Sequence, residues 1–234
     1  MRDARPRDLD ETRVSRLLHE ARPGRSIGER LDHFSALLLG APYAAQALVG
    51  SATEPEVFTA SLDGFDCVTY VETVLALARA STPADFAREL RAIRYDGGRV
   101  EWRRRNHYMT GWIRSNARGG RLRALAVKGS VRHERLLDAV PGLPRVRARF
   151  TCLPKRFVPR LSKDLRTGDL VFFASTKPSL DVFHCGLLVN AGGAWRMRHA
   201  ARSLNGAVEQ DLAEFLAQYR MSGVLFARPL ETRA

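Results

Sequence analysis

Cys67 directly follows Asp66 in "LDGFDCVTYVETVLALARA", where a loop-like stretch from Leu62 turns into an apolar helical pattern that runs to Ala80. The first amide N–H groups of a helix lack partners, and its aligned peptide dipoles leave partial positive charge there. A thiol at that point is a better nucleophile. The same stretch also reads as a small apolar residue opening a buried helix, the usual behaviour of a free cysteine, and on its own it leaves the two readings even. A second signal lies in "DVFHCGLLV" and "AWRMRHAA", two strand-like runs separated by Asn190-Ala191-Gly192-Gly193. If those four residues form a hairpin loop, Val189 pairs with Ala194 and His184 stands directly opposite His199. Directly opposed side chains share a face with Cβ atoms about 4.5–5.5 Å apart, close enough for two imidazoles to hydrogen-bond; a loop of odd length would break this register. Alternation sends Cys185 to the other face from His184, into the core and out of any shared metal site. Cys152 sits in a proline-rich stretch and carries no signal. A cysteine at a helix start, a strand histidine and a polar neighbour make a nucleophile, a base and a group that orients the base.

The elements that must position these residues follow from the periodicity. "TRVSRLLHEAR" reads as a helix stopped by Pro23-Gly24, and a second run from Ser26 puts Ile27, Leu31, Phe34, Leu37 and Leu38 on one face before Gly40. "GAPYAAQALVGS" is loop-like; Val68, Val71, Val74, Leu75 and Ala78 then recur at helical spacing behind the cysteine. Thr82-Pro83 restarts a helix to about Tyr95, and Asp96-Gly97-Gly98 is a turn. Residues 100–165 read as an irregular insertion with a short helix at "YMTGWIRSNA". The last third reads as strands at "GDLVFFAS", the two histidine runs and "GVLFARPL", with a helix at "DLAEFLAQYR". Helices followed by a strand-rich half predict an α+β fold, with residues 1–25 as a helical extension and 26–234 as a single domain.

Composition narrows the partners. The 234 residues carry a net charge of +13 and a sequence pI near 10.7, which suits an anionic polymer or envelope. Lysine occurs only at positions 128, 155, 163 and 177, so arginine supplies all but four of the 38 basic residues, a skew that genome base composition explains as well as partner choice does. The arginines are scattered apart from "EWRRRNHY", without the aromatic interleaving of a nucleic-acid surface, which argues against a nucleic-acid partner. Three cysteines do not make a disulfide framework, and no C-x-x-C or H-E-x-x-H spacing supports zinc. No apolar run reaches the ~18 residues of a membrane span, and "MRDARPRDLDETRV" lacks the apolar core of a secretory signal.

"LLGAPYAAQALVG", "LDGFDCVTYVETVLALA", "IRYDGG", "RRNHYMTGWI", "TGDLVFFAS", "LDVFHCGLLV" and "MRHAARS" occur in this order between Ile27 and Pro229. Together they resemble the NlpC-type, papain-like cell-wall cysteine hydrolases, and most closely their N-acetylmuramoyl-L-alanine amidase-like branch. The resemblance implies a papain-like α+β fold with Cys67 as nucleophile, His184 as general base and His199 as the residue that orients the base. It implies that Tyr43 of "GAPYAA" lines the site and, with the Cys67 N–H, holds the oxyanion, while Asp66 holds substrate or caps the helix. Many NlpC-type peptidases have a serine after the cysteine that binds a free stem-peptide amine; Val68 stands there and argues against recognition of a free N-terminal L-alanine. Arg105, Asn106 and His107, with Tyr108, form a second polar cluster that reads equally as a muropeptide contact or as a solvated loop around an anchored aromatic. His19, His33 and His133 read as surface or packing residues.

The implied activity is hydrolysis of a peptidoglycan amide without metal or organic cofactor, either muramic acid to L-alanine or D-glutamate to the diamino acid. A papain-like hydrolase of a protein amide or lipid ester is the first alternative, and a non-catalytic basic module for nucleic acid or envelope the second. The resemblance implies an extracytoplasmic substrate, and the lack of a signal in the chain as given keeps action on recycled muropeptides in the cytoplasm open. Oligomeric state is not encoded in any of these features.

Overall fold

The computed structural model describes residues 6–20, 26–45, 47–161 and 163–232. The first half is helical: α1 (Glu11–Glu20), α2 (Ile27–Leu37), α3 (Cys67–Arg79), α4 (Pro83–Arg94) and α5 (Met109–Arg118). Strands β1 (Leu122–Ala124), β2 (Val131–Leu137), β3 (Val146–Cys152), β4 (Leu170–Ala174), β5 (Val182–Ala191), β6 (Ala194–Ala201) and β7 (Gly206–Asp211) follow, then α6 (Leu212–Gln218) and β8 (Gly223–Pro229). Local chemistry sets the helix starts. Ser26 and Glu29 form a reciprocal capping box on α2, and Thr82 caps α4 ahead of a proline in its first turn. The Pro23-Gly24 stop lies outside the described residues.

The main sheet is antiparallel with strand order β1-β8-β4-β5-β6-β7. Its central strand β4, "LVFFA", is buried throughout because both faces are covered. Phe172 and Leu187 face a core built with α2 and α3, which includes Leu31, Phe34, Val74 and Leu75. Phe173, Leu188 and Met197 face the other way, onto Phe215 and Leu216 of α6. The fold is thus mixed α+β, with α3 on one side of the sheet and α6 on the other. Val14 and Leu17 of α1 join the α3-side core, so this helix shares the core of the rest of the chain.

Two expectations change here. Residues 100–165 are ordered into elements: besides α5, β1 pairs with β8, and β2 and β3 form a separate ribbon from Val131↔Cys152 to Leu137↔Val146. Its period-2 pattern is faint in the sequence because only Leu137, Ala148 and Cys152 are buried among largely exposed, arginine-rich positions. The β5–β6 hairpin turns on two residues, not four: Ala191 pairs with Ala194 across Gly192-Gly193, whose φ angles of 63° and 94° suit only a tight turn. The register therefore moves by two residues, and Gly186, not His184, is the residue that continues the ladder opposite His199.

The helix bearing Cys67 is fixed by a buried ion pair. Arg94 Nε donates to Glu72 Oε2 at 2.7 Å, with side-chain exposures of 3% and 2%. A second Arg94 nitrogen donates to the Thr59 carbonyl at 2.7 Å, and Trp112 Nε1 donates to Glu72 Oε1 at 3.1 Å. This lattice ties α3 to α4, α5 and the segment leading to the cysteine. Arg94→Ala leaves the buried Glu72 carboxyl without its counter-charge, and should destabilise the fold by about 3–5 kcal/mol. Urea denaturation measures it; replacing both partners by apolar residues of similar volume should recover most of the loss.

Candidate active site

Asp66 starts α3. Its Oδ1 accepts from Val68 N–H at 3.0 Å, from Thr69 N–H at 2.7 Å and from the Thr69 hydroxyl at 2.8 Å, while Thr69 Oγ1 accepts from the Asp66 N–H at 2.9 Å. Of its two expected roles, capping the helix is the one these bonds describe. Burial, then the negative charge of Cys67, pushes the Asp66 carboxyl up, against the hydrogen bonds that favour its charged form. Cys67 is then the first helical residue, with an N–H that has no acceptor within the helix.

The Cys67 thiol is held well below the ordinary cysteine range. Hydrogen bonding from the Cys185 thiol is the largest cause; it outweighs burial, and the hydrogen bond and charge of His184 and the Cys185 backbone amide add to it. Cys185 points into the α3-side core, as alternation requires, and Cys67 itself packs against that core. Its sulfur also lies at donating distance, 3.3 Å, from the Cys67 carbonyl oxygen, so its one proton serves either that oxygen or the Cys67 sulfur. The sequence placed Cys185 on the correct face; that α3 is what covers this face is a fact of topology, which no local pattern carries.

His184 lies at the irregular start of β5. Phe173 pairs with His184 and Ala174 with Val182, so Phe183 is an extra residue in the ladder, a bulge beside the site. The strand entrance is anchored by buried Asp181, whose Oδ2 accepts from the N–H and hydroxyl of Thr110 at 2.7 Å each, in the first turn of α5. The His184 ring is nearly parallel to Phe215 of α6 (24°, centroids 5.5 Å) and to Phe173 (20°, 6.3 Å). Asp181 and Phe215 were not foreseen from the sequence.

His184 Nε2 lies 2.6 Å from His199 Nδ1. The two histidines are diagonal neighbours: a register shift of two leaves every side chain on its own face, so the pair survives an error that a shift of one would have made fatal. Gly186 makes the diagonal contact possible. A Cβ there would sit 2.7 Å from Met197 Cγ, on the face His199 uses. His199 is 1% exposed, and burial, then the positive charge of His184, pushes it down to about 3, against a favourable effect of the Gln210 side chain. Its Nε2 has no partner at hydrogen-bonding geometry among the described residues. A neutral His199 accepts at Nδ1 from the Nε2–H of His184, which leaves His184 Nδ1 as the nitrogen for the thiol.

Tyr43 forms the lip of the site. It bridges to Phe65 beside the helix cap, and its N–H donates to the Asn205 carbonyl at 3.1 Å in the turn after β6. Burial, then the charges of Cys67 and Asp66, pushes its phenol up against the opposing charge of Arg202, so the hydroxyl stays a donor.

Arg105, Asn106 and His107 are not brought to the thiol. Arg105 donates to Glu56 Oε1 at 3.3 Å and the Gly50 carbonyl at 3.2 Å, Asn106 Nδ2 to the Ile93 carbonyl at 3.2 Å, and His107 Nε2 lies 2.7 Å from the Trp102 carbonyl. Tyr108 is buried and its hydroxyl accepts from the Val140 N–H at 3.3 Å. Arg105 thus ties into the chain at residues 50–56, while Asn106 and His107 hold to residues 93 and 102. His133 stacks on Phe150 at 17°, and His33 packs edge-on to Phe34. Among the described residues no group of three His, Cys, Asp or Glu side chains could hold a metal ion, and no helix is long and apolar enough to cross a membrane.

A family model described as AmiA-like, N-acetylmuramoyl-L-alanine amidase-like, matches residues 33–224. Among solved structures, an N-acetylmuramoyl-L-alanine amidase from Bacteroides uniformis ATCC 8492 superposes with a TM-score of 0.79 at 22% identity, covering 88% of this chain and 99% of that one. A protein from Legionella pneumophila str. Philadelphia 1 gives 0.82 at 18% identity, covering 95% of each chain. A putative xylanase from Bacteroides fragilis gives 0.72 at 24% identity, covering 83% of this chain and 98% of that one. No curated protein matches. At these identities the superpositions show a shared fold, and a fold by itself does not choose a substrate.

Proposed function

Because the chain belongs to the AmiA-like, N-acetylmuramoyl-L-alanine amidase-like family, we propose that it is a cysteine-dependent amide hydrolase of peptidoglycan, with Cys67, His184 and His199 in a papain-like site of the NlpC type. The observation that carries this reading is the 2.6 Å contact of His184 Nε2 with His199 Nδ1 beside a thiol whose charge His184 favours. Cys67 gives its proton to His184 Nδ1 and the thiolate attacks the amide carbonyl. The Cys67 N–H and the Tyr43 hydroxyl face the developing oxyanion. His184 protonates the departing nitrogen, a thioester remains on Cys67, and a water deprotonated by His184 releases the acid. No step needs a metal or organic cofactor.

Of the two candidate bonds, Val68 favours muramic acid to L-alanine. Its backbone N–H is taken by Asp66 and its partly exposed side chain offers nothing to an ammonium group. A substrate whose alanine nitrogen is already acylated asks for no such partner. The cell envelope is then the place of action.

Digestion of purified sacculi with mass analysis of the fragments tests this. Stem peptides with a free N-terminal L-alanine, and glycan ending in the lactyl acid, are expected, with equal yield in EDTA. Glycan that keeps L-alanyl-D-glutamate on its lactyl group, with released peptides that begin at the diamino acid, would move the cut to the second bond. Intact sacculi with a reactive Cys67 would point to a protein amide or lipid ester, and a Cys67 no more reactive than a free thiol, with salt-sensitive polyanion binding, to the binding module.

A further inference from the structure

Cys185 has no part in the steps above, yet its sulfur donates to the carbonyl oxygen of the nucleophile's own residue at 3.3 Å. α3 and β5 pack directly on each other, with Cys185 buried between them and Cys67 at the partly exposed edge. A reagent meets Cys67 first and Cys185 stands behind it. We propose that Cys67 and Cys185 are a reversible modification site, at which a hydroperoxide converts the nucleophile into an intramolecular disulfide and stops hydrolysis.

The chemistry balances in two steps. The Cys67 thiolate attacks a peroxide oxygen; the S–O bond forms, the O–O bond breaks, and the departing hydroxide takes up the proton that His184 received from Cys67 and leaves as water, so sulfur is oxidised to sulfenic acid as the peroxide is reduced. Cys185 then attacks the Cys67 sulfur: the S–S bond forms, the S–O bond breaks, and the departing hydroxide takes the Cys185 proton as water. In sum, two thiols and one hydrogen peroxide give one disulfide and two waters.

The order of events is built into the site. Hydrogen bonding to Cys67, burial and the negative charge of Cys67 hold the Cys185 thiol well above the ordinary range, so it stays protonated while Cys67 is a thiolate. A neutral sulfenic acid at Cys67 removes that charge and so weakens one of the effects that hold the Cys185 proton. Without Cys185, the sulfenic acid meets a second peroxide and goes on to sulfinic acid, which thiols do not reverse. Cys152 is the internal control: its sulfur donates to the Ser222 carbonyl at 3.7 Å on β3, and burial pushes it up to about 11.

The test treats the full chain with hydrogen peroxide, alkylates it, and maps its peptides by mass. A Cys67–Cys185 disulfide with Cys152 reduced is expected, and dithiothreitol should restore both Cys67 alkylation and turnover. Cys185→Ser and Cys185→Ala should instead collect sulfinic acid at Cys67 and stay blocked under dithiothreitol; either variant suffices if the other fails to fold. Sulfinic acid at Cys67 of the unaltered chain with Cys185 still reduced, or equal recovery with and without Cys185, overturns the proposal. The loss of hydrolysis rests on Cys67 being the nucleophile, but the bond itself is read by mass, so the two readings fail separately.

Discussion

Cys67→Ala and His184→Ala should each lower turnover on muropeptides by ~10³-fold or more, and the double variant should be little worse than either, because groups that act as a unit do not add. The thiol supplies the bond to the acyl group and His184 both makes the thiolate and protonates the departing nitrogen, so neither has a partner that works alone. Alkylation separates this from a folding defect. In the unaltered chain iodoacetamide should modify Cys67 near neutral pH faster than Cys152 or Cys185, both of which are buried and pushed up. His184→Ala removes one support of the Cys67 thiolate and leaves the Cys185 hydrogen bond, so alkylation of Cys67 should slow without stopping. Equal alkylation of all three cysteines, or His184→Ala with normal turnover, would remove the pair from the mechanism.

What the sequence showed of this site is what local chemistry encodes. The Asp66 cap, the cysteine at the first helical position and the two histidines on one face depend on residues near in sequence or on parity within a hairpin, and parity tolerates a misjudged loop of even length. What it hid depends on which layers meet. Cys185 touches Cys67 because α3 covers the β5 face that carries it, and His184 is held by Phe215 from α6 on the opposite side of the sheet. Arg105, Asn106 and His107 read equally as a binding cluster and as a loop in the sequence, because polar residues that hold a loop and polar residues that hold a ligand are the same residues; in the structure their partners are Glu56, Gly50, Ile93 and Trp102. The β2–β3 ribbon escaped notice because strands with few buried positions leave little hydrophobic alternation to read.

His199→Ala should lose about 10–100-fold in turnover, and His199→Asn should retain a measurable part of it, because the side chain supports a catalytic group and exchanges no proton with substrate. His199 works as an acceptor for the Nε2–H of His184, at 2.6 Å, and an asparagine carbonyl offers the same function from a shorter arm. The acceptor steadies the His184 imidazolium that forms when the thiol ionises. Its loss should move the acid limb of Cys67 alkylation to higher pH, a shift that a purely packing role would not produce and that asparagine should partly reverse. Acid stability gives an independent reading. His199 falls from an ordinary 6.5 to about 3 in the fold, so the neutral ring contributes stability that is complete above about 6.5 and is lost as pH falls towards 3. His199→Asn has nothing to titrate there and should lose less stability over that window. If folded His199→Ala keeps full turnover and an unmoved acid limb, the contact at 2.6 Å is packing alone, and another residue orients His184.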